Sequence, residues 1–160
     1  MHADTGLLLQ QSLVADALVE ALRCVMVRDT WIGGRIPLMG VNAVEHAEEI
    51  EPGQFAMVWL PGVDEKPFSV SDVRGGMVEI TAKAVGGFSR ALMDCRVGER
   101  LGLRGPLGRG FRPRGRGLIV GGGMGIAPLR MLAHWMEFNG MEFRAVLGAG
   151  TGKGMIFREG

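Results

Sequence analysis

Short apolar runs separated by glycine- and proline-rich turns characterise the chain up to about residue 111. In Met77–Ala84, apolar and polar residues alternate, so that Val78, Ile80 and Ala82 share one face of an extended chain. This two-residue period is that of a strand with one buried face. Further strands are predicted at 24–27, 40–44, 55–60, 68–71 and 100–104, and a short helix at 89–95. Short strands with turns at this spacing are typical of a small antiparallel barrel, which we expect over residues 23–111.

The pattern changes beyond this region. Residues 112–116 are basic and glycine-rich, and we expect a solvated linker there. A strand predicted at 117–121 by its apolar residues then enters a glycine cluster, an amphipathic segment follows at 127–139, and a second strand is predicted at 142–147. Strand, tight turn, helix and strand in this order predict one βαβ unit, within a partial α/β domain over 117–160.

The first 22 residues form a third region. Leu7–Leu22 is rich in leucine, valine and alanine, but Asp16 and Glu20 interrupt it and no basic segment precedes it. It is too short and too charged to span a bilayer, and it lacks a convincing cleavage site. We therefore predict a helical extension over residues 1–22 whose apolar face packs on the body of the protein or on a partner.

Composition excludes several classes of function. Apolar residues make up 47% of the 160 residues, which is enough for a packed core, and the net charge of +1 attracts neither nucleic acid nor an anionic membrane. The two cysteines lie far apart and the three histidines show no metal-ligand spacing. We therefore expect no metal site and no [2Fe–2S] cluster in this chain. The reducing cytoplasm is the expected compartment.

The glycine cluster is the first candidate site. Glycines at a strand-to-helix turn let backbone N–H groups approach a phosphate, and the helix N-terminus adds partial positive charge. Gly121 and Gly123 fit a dinucleotide fingerprint, but Ile126 stands where its third glycine is expected. A glycine-rich loop without a ligand is the alternative. The candidate nucleotide-binding residues are Gly121, Gly122, Gly123, Met124, Gly125, Ala127 and Pro128.

The order of these motifs resembles the ferredoxin–NADP reductase superfamily. In addition to the glycine cluster, the motifs are Pro52-Gly53-Gln54-Phe55, Glu65-Lys66-Pro67-Phe68-Ser69-Val70, Val85-Gly86-Gly87-Phe88-Ser89 and Gly105-Pro106-Leu107-Gly108-Arg109-Gly110-Phe111. Within the superfamily, the second and fourth look most like the electron-transfer subunits of dihydroorotate dehydrogenase, particularly the archaeal ones. The resemblance covers about residues 23–151.

The resemblance implies that the barrel binds FAD and that electrons pass from NAD(P)H through FAD to a partner dehydrogenase subunit of pyrimidine biosynthesis. It places Lys66 at the flavin pyrophosphate, Ser69 near the flavin N5 or ribityl chain, and Phe68 beside the ring or adenine. Hydride transfer is the chemistry of the cofactors, so no residue is assigned a catalytic acid–base role. The candidate flavin-binding residues are Lys66, Pro67, Phe68, Ser69, Val70, Lys83, Gly86, Gly87, Phe88 and Ser89.

The sequence also departs from the family. Lys66 replaces the usual arginine and offers a point charge instead of a fork. Gly150 stands where the family often has an arginine, which weakens the case for an NADP 2′-phosphate site. The family's nucleotide domain continues for several more strands. We therefore expect either a fragment of a longer protein, truncated at its C-terminus, or a chain that completes its sheet by forming an oligomer such as a homodimer.

Two other functions stay open at this point. The chain is alternatively a non-catalytic flavin-binding or scaffold subunit with a degenerate nucleotide domain. It is alternatively the flavin subunit of another oxidoreductase, such as a hydrogenase, because the barrel motifs are shared while the partner differs.

Overall fold

The computed structural model describes residues 23–33, 36–41 and 47–150, with side chains from residue 47 onward. The predicted extension at 1–22 and the end of the predicted α/β domain lie outside the described residues. The strands are β1 (Arg23–Gly33), β2 (Ile36–Val41), β3 (Phe55–Leu60), β4 (Asp64–Arg74), β5 (Met77–Thr81), β6 (Arg100–Leu107), β7 (Gly117–Gly122) and β8 (Phe143–Gly148). The α-helices are α1 (Gly87–Met93) and α2 (Ala127–Phe138).

Six strands close into an antiparallel barrel in the order β1-β2-β5-β4-β3-β6. The closing pair is β1 with β6, in which Arg23 lies opposite Leu103. Closure gives every strand two neighbours, so the barrel has no unpaired edge. The antiparallel barrel predicted from the short apolar runs is therefore confirmed.

The barrel core follows from the strand alternation. Val78 and Ile80 of β5 are fully buried, as their two-residue spacing predicts. Leu92 of α1 joins the same core, so the short helix packs on the barrel. The other buried barrel residues include Ala56, Val58, Leu60, Val70, Leu101 and Leu103.

Several elements differ from the sequence prediction. Strand β4 is much longer than the predicted 68–71, because its first half pairs with β3 and its second half with β5. Strand β6 does not end at Gly105-Pro106 as predicted, since Leu107 still pairs with Phe55 of β3. Strands β1 and β2 pair with each other, and β1 runs beyond the predicted 24–27 to Gly33 while β2 begins at Ile36, before the predicted 40–44.

The second unit is a parallel βαβ arrangement. Strand β7 pairs with β8 in parallel register, and α2 connects them on one face of the two-stranded sheet. Ile119 of β7 is buried against Leu132 and Met136 of α2. The predicted βαβ unit is thus confirmed. The opposite sheet face is exposed, with Leu118 and Val120 each about two-thirds accessible.

Helix α2 contacts the barrel as well as its own sheet. Met131 belongs to the barrel core cluster, while Leu132, the next residue, faces β7. Its barrel contact is mainly with β4. The same helix therefore links the two units. Within the described residues, no helix is long and apolar enough to cross a membrane.

Candidate functional site

The predicted flavin motif lies in the half of β4 that pairs with β3. Ser69 is opposite Phe55 in this ladder, and the neighbouring Val70 N–H donates to the Gln54 carbonyl at 3.1 Å. Val70 is buried in the barrel core, whereas Lys66 and Ser69 are exposed. The strand thus holds a cation and a hydroxyl at the surface while its apolar residue anchors it inside.

Two ion pairs surround the exposed lysine. Lys66 pairs with Asp64 on the same strand, and both side chains are about half accessible. Hydrogen bonds from Lys66 and from the Glu65 backbone lower the pKa of the Asp64 carboxyl below its usual value. Glu65 accepts two hydrogen bonds from Arg104 of β6, at 3.3 and 3.0 Å, and this pairing raises the pKa of the arginine. Both cations are therefore held on the barrel surface by carboxylates of β4.

An aromatic contact joins this motif to the loop before α1. The rings of Phe68 and Phe88 lie with centroids 5.9 Å apart at an interplanar angle of 31°. Both side chains are partly buried. A built Cβ at Gly86 or Gly87 meets no atom within 4 Å, so the backbone there faces open space. Two motifs that are separate in the sequence therefore form one surface.

The Ser89 hydroxyl forms hydrogen bonds within the loop before α1. The Ser89 hydroxyl accepts hydrogen bonds from the Val85 and Gly86 N–H groups, both at 3.0 Å. It also donates a hydrogen bond to the Gly86 carbonyl at 3.2 Å. The residue is buried. Its hydroxyl therefore stabilises the loop at the start of α1. Lys83 is exposed, and no hydrogen bond or ion pair joins it to a described residue.

The glycine cluster forms the turn between β7 and α2. Gly121 is packed closely between β7 and α2, because an added Cβ would lie 3.0 Å from both Ile126 and Leu129. Gly123 has a φ of +52°, which favours glycine, and begins a short 3-10 turn that runs to Ile126. Gly123 and Gly125 have no neighbouring atom within 4 Å of a built Cβ. The turn therefore exposes bare backbone directly before the helix.

The remaining residues of this motif support the turn. Ala127 is buried against Ile126, with Met124 packed beside them. Pro128 lies in the first turn of α2, where its missing N–H leaves no intrahelical hydrogen bond unmade. The strand–turn–helix that the sequence predicts at this position is present, with one added 3-10 turn.

Sequence reasoning missed a cluster of charges between the barrel and α2. We call it the ionic seam; its members are Asp72 and Arg74 of β4, Glu79 of β5, and Arg130 and His134 of α2. The Asp72 carboxylate is 5% exposed and lies 2.7 Å from Arg74 Nε, 3.0 Å from His134 Nδ1 and 3.6 Å from an Arg130 nitrogen. The only sequence signal for it is the four-residue spacing of Arg130 and His134, which places them on one helix face.

No metal centre is evident in the part of the chain that the structure describes, because no three His, Cys, Asp or Glu side chains there are grouped to hold an ion. Cys95 is a free, partly buried thiol. Burial, and secondarily the charge of Glu99, raises its pKa.

No protein-family model matches the chain. Several proteins of known family are similar to the chain in sequence. Over 122 residues the chain is 37% identical to a probable dihydroorotate dehydrogenase B (NAD(+)), electron transfer subunit, of Methanocaldococcus jannaschii, covering 76% of this chain and 46% of that protein. The corresponding protein of Thermoplasma volcanium is 44% identical over 113 residues, covering 70% and 42%. The chain spans about half the length of the curated relatives it matches.

Solved structures agree on the fold. A structure of an NADH-dependent reduced ferredoxin-NADP oxidoreductase, described for flavin-based electron bifurcation, matches with a TM-score of 0.74 and 27% identity, covering 83% of this chain and 51% of that one. The FAD/NAD binding domain of a nitric oxide dioxygenase from Vibrio cholerae matches in fold, with a TM-score of 0.74, 19% identity and coverage of 86% and 66%. The resemblance to the ferredoxin–NADP reductase superfamily, and within it to the dihydroorotate dehydrogenase electron transfer subunits, is confirmed.

Proposed function

We propose, from its likeness to dihydroorotate dehydrogenase B electron transfer subunits, that this chain binds FAD on the barrel and passes electrons from NAD(P)H to a partner dehydrogenase. One observation carries the flavin assignment: the Phe68–Phe88 contact unites the β4 motif and the loop before α1. A dinucleotide needs a cation, hydrogen-bond donors and a flat apolar surface within one patch. This surface supplies all three.

Each candidate side chain has a chemical task in this proposal. Lys66 neutralises the pyrophosphate; its half-exposed ammonium exchanges Asp64 for a phosphate oxygen without burial of a charge. Ser69, whose hydroxyl has no hydrogen-bond partner among the described residues, donates to the flavin or its ribityl chain. Phe68 and Phe88 pack against an aromatic ring.

The loop before α1 supplies backbone donors. Because nothing lies above Gly86 and Gly87, a phosphate can approach the backbone there and accept from the Gly87 N–H, whereas the Gly86 N–H already donates to the Ser89 hydroxyl. Ser89 contributes indirectly, by fixing the loop with its three hydrogen bonds. The Val70 N–H joins the strand to the Gln54 carbonyl, and Pro67 lies between Lys66 and Phe68 on the same strand. Lys83 offers a second exposed cation on the way from β5 to this loop.

The turn at Gly121–Gly125 is the proposed site of NAD(P)H. Open backbone at Gly123 and Gly125, the start of α2 and the packed floor of Met124 and Ala127 suit a pyrophosphate. Held at this turn, NAD(P)H would supply a hydride, and FAD held by the β4 motif would supply the capacity to take it up and pass electrons on. The chain's own residues bind and orient the two cofactors and move no proton.

The partner follows from the same likeness. We propose a catalytic dehydrogenase subunit as the electron acceptor, in a hetero-oligomer, with a homodimer as the alternative. The division into a barrel over 23–111, a linker over 112–116 and a nucleotide unit from 117, the cytoplasmic compartment and the lack of [2Fe–2S] ligands in this chain remain predictions.

A visible absorption spectrum tests the proposal. The purified chain is mixed with FAD, the flavin band is recorded after removal of free flavin, and NADH is added without air. A retained band that bleaches supports both FAD binding and reduction by NADH, and a band that persists contradicts the NADH step. A colourless protein contradicts flavin binding and favours the scaffold function.

A matched pair of variants locates the site. Lys66→Met removes a charge-assisted contact, so the FAD dissociation constant should rise about tenfold or more. Arg96→Met removes an exposed cation of the loop after α1 and should leave the constant unchanged. Equal values for the two variants would exclude Lys66 from the site.

A further inference from the structure

We infer that Asp72 and Arg130 act as positioning residues: the ionic seam fixes α2, and with it the glycine turn, against the strand that carries the flavin motif. The inference rests on the function proposed above. It concerns residues outside both candidate sites, because neither side chain belongs to the flavin motif or to the glycine turn.

The seam lies close to both motifs along rigid elements. Asp72 follows Val70 by two residues on β4, a distance of about 7 Å in a strand. Arg130 follows Ala127 by three residues on α2, which is less than one helical turn. A contact between these two residues therefore relates the flavin strand to the start of the helix with little intervening backbone.

The Arg130 side chain contacts two barrel strands at once, and this geometry restricts the orientation of α2. One guanidinium nitrogen lies 2.6 Å from a Glu79 oxygen and the other 3.6 Å from Asp72, and the side chain is only 16% exposed. One planar fork thus bridges β4 and β5 to the helix. A hydrogen bond to Glu79 together with an ion pair to Asp72 restricts how α2 rotates or slides, which a single point charge does not do.

The other members hold Asp72 in place. Arg74 Nε lies 2.7 Å away on the same strand, and His134 Nδ1 lies 3.0 Å away, one turn of α2 after Arg130. Arg74 Nη2 also lies 3.4 Å from His134 Nδ1. Burial of a carboxylate costs free energy unless charged or hydrogen-bonding partners such as these surround it. Apolar contact through Met131 adds affinity but little direction, since hydrophobic contacts are not directional.

Hydrogen exchange tests the positioning without any cofactor. Amide exchange of 127–138 is measured by mass spectrometry in Asp72→Asn, Arg130→Lys and the control Asp94→Asn, an exposed carboxylate at the end of α1. We expect exchange of α2 at least tenfold faster in the two seam variants, and no change in the control. Arg130→Lys keeps the charge and loses the fork, so unchanged exchange in that variant would overturn the inference even if Asp72→Asn fails to fold.

The same variants are then loaded with FAD and reduced by NADH in a stopped-flow instrument. The rate at saturating NADH should fall at least tenfold, while the FAD dissociation constant stays within twofold, because the flavin motif is intact. A loss of FAD affinity instead would assign the seam a merely structural role and overturn the inference. If the wild-type chain binds no FAD or is not reduced, the proposed function fails, and the exchange measurement alone decides the positioning.

Discussion

The barrel and the β7–β8 unit bury their apolar residues in different ways. In the barrel, six strands close on one another and enclose a shared core that includes Val58, Ile80 and Leu101. In the second unit, two strands are covered on one face by α2, while Leu118 and Val120 on the other face remain exposed. The barrel core is built mainly from its own strands, with Leu92 of α1 and Met131 of α2 added, whereas the second unit depends on a helix that also packs on the barrel.

This difference assigns the two units different kinds of stability. Closure makes the barrel strands mutually dependent, so a substitution at one buried position should also perturb the β4 motif and the loop before α1. The β7–β8 sheet is held by α2, and α2 is held in turn by Met131 and the ionic seam. Substitutions in each region should therefore have separable effects on flavin and on helix packing.

The largest effect is expected from truncating a buried side chain in each unit. Ile80→Ala in the barrel and Met136→Ala in α2 both replace fully buried side chains and should cost about 2–5 kcal/mol each. Only Ile80→Ala should also abolish retention of FAD. Urea unfolding followed by circular dichroism, with FAD binding measured on the same samples, checks this. Equal loss of FAD in Met136→Ala would show that the barrel is not independent.

Glycine substitutions in the turn sharpen the contrast within the second unit. Gly121→Ala forces a methyl group against Ile126 and Leu129, and the overpacking should cost about 1–3 kcal/mol. Gly125→Ala enters open space and should be neutral or slightly stabilising. Thermal unfolding compares the two variants. A lower melting temperature for Gly125→Ala than for Gly121→Ala would contradict the packing described here.

A smaller effect is expected where a hydroxyl organises the barrel's helix. Ser89→Ala removes the acceptor of two backbone N–H groups and should cost about 1 kcal/mol, as for the loss of a helix N-cap. The control Ser69→Ala removes an exposed hydroxyl and should change stability by less than about 0.5 kcal/mol. With FAD, Ser69→Ala should weaken binding directly. Stability is read from urea midpoints and affinity from flavin titration.

The smallest effect concerns the thiol at the end of α1. Burial and Glu99 raise the pKa of Cys95, so a smaller fraction of this thiol is thiolate at pH 8 than for an exposed cysteine. Alkylation of Cys95 should therefore be slower than that of an exposed cysteine, and its rate should still increase above pH 9. Glu99→Gln removes the negative charge, lowers the pKa and should speed the reaction. Iodoacetamide labelling, resolved by peptide mass spectrometry to separate Cys95 from Cys24, measures the rate.

Labelling of Cys95 also reports on the barrel, against which its side chain packs. Ile80→Ala should accelerate the reaction, whereas Met136→Ala should leave it unchanged. Acceleration by both variants would indicate that the two units open together.

Local patterns predicted the elements whose signals are local. Strand β3 begins and ends where its apolar run does, and α2 agrees with its amphipathic segment to one residue. Strand β4 is longer than predicted. Its first residues, Asp64–Pro67, are polar or strand-breaking in composition and did not look like a strand, but they pair with β3. The apolar pattern of these residues does not show this pairing, even though β3 is the strand directly before them.

The candidate site divides in the same way. Motif resemblance located the β4 motif, the loop before α1 and the glycine turn, but the Phe68–Phe88 contact and the seam arise from folding alone. Ser89 shows the limit of residue type: a hydroxyl beside glycines suits a phosphate, yet here it stabilises its own loop. The domain boundaries and site roles stay predictions until the measurements above are made.

The pairing of β1 with β6 has a consequence during synthesis of the chain. Strand β1 can pair with β6 only after β6 has emerged from the ribosome, so the pairing of Arg23 with Leu103 closes the barrel late. Contacts between residues so distant in sequence form slowly. Until then the nascent barrel presents unpaired strand edges, which other chains can pair with. Because α2 follows β6 along the chain, its Met131 joins the barrel core only after every barrel strand has emerged.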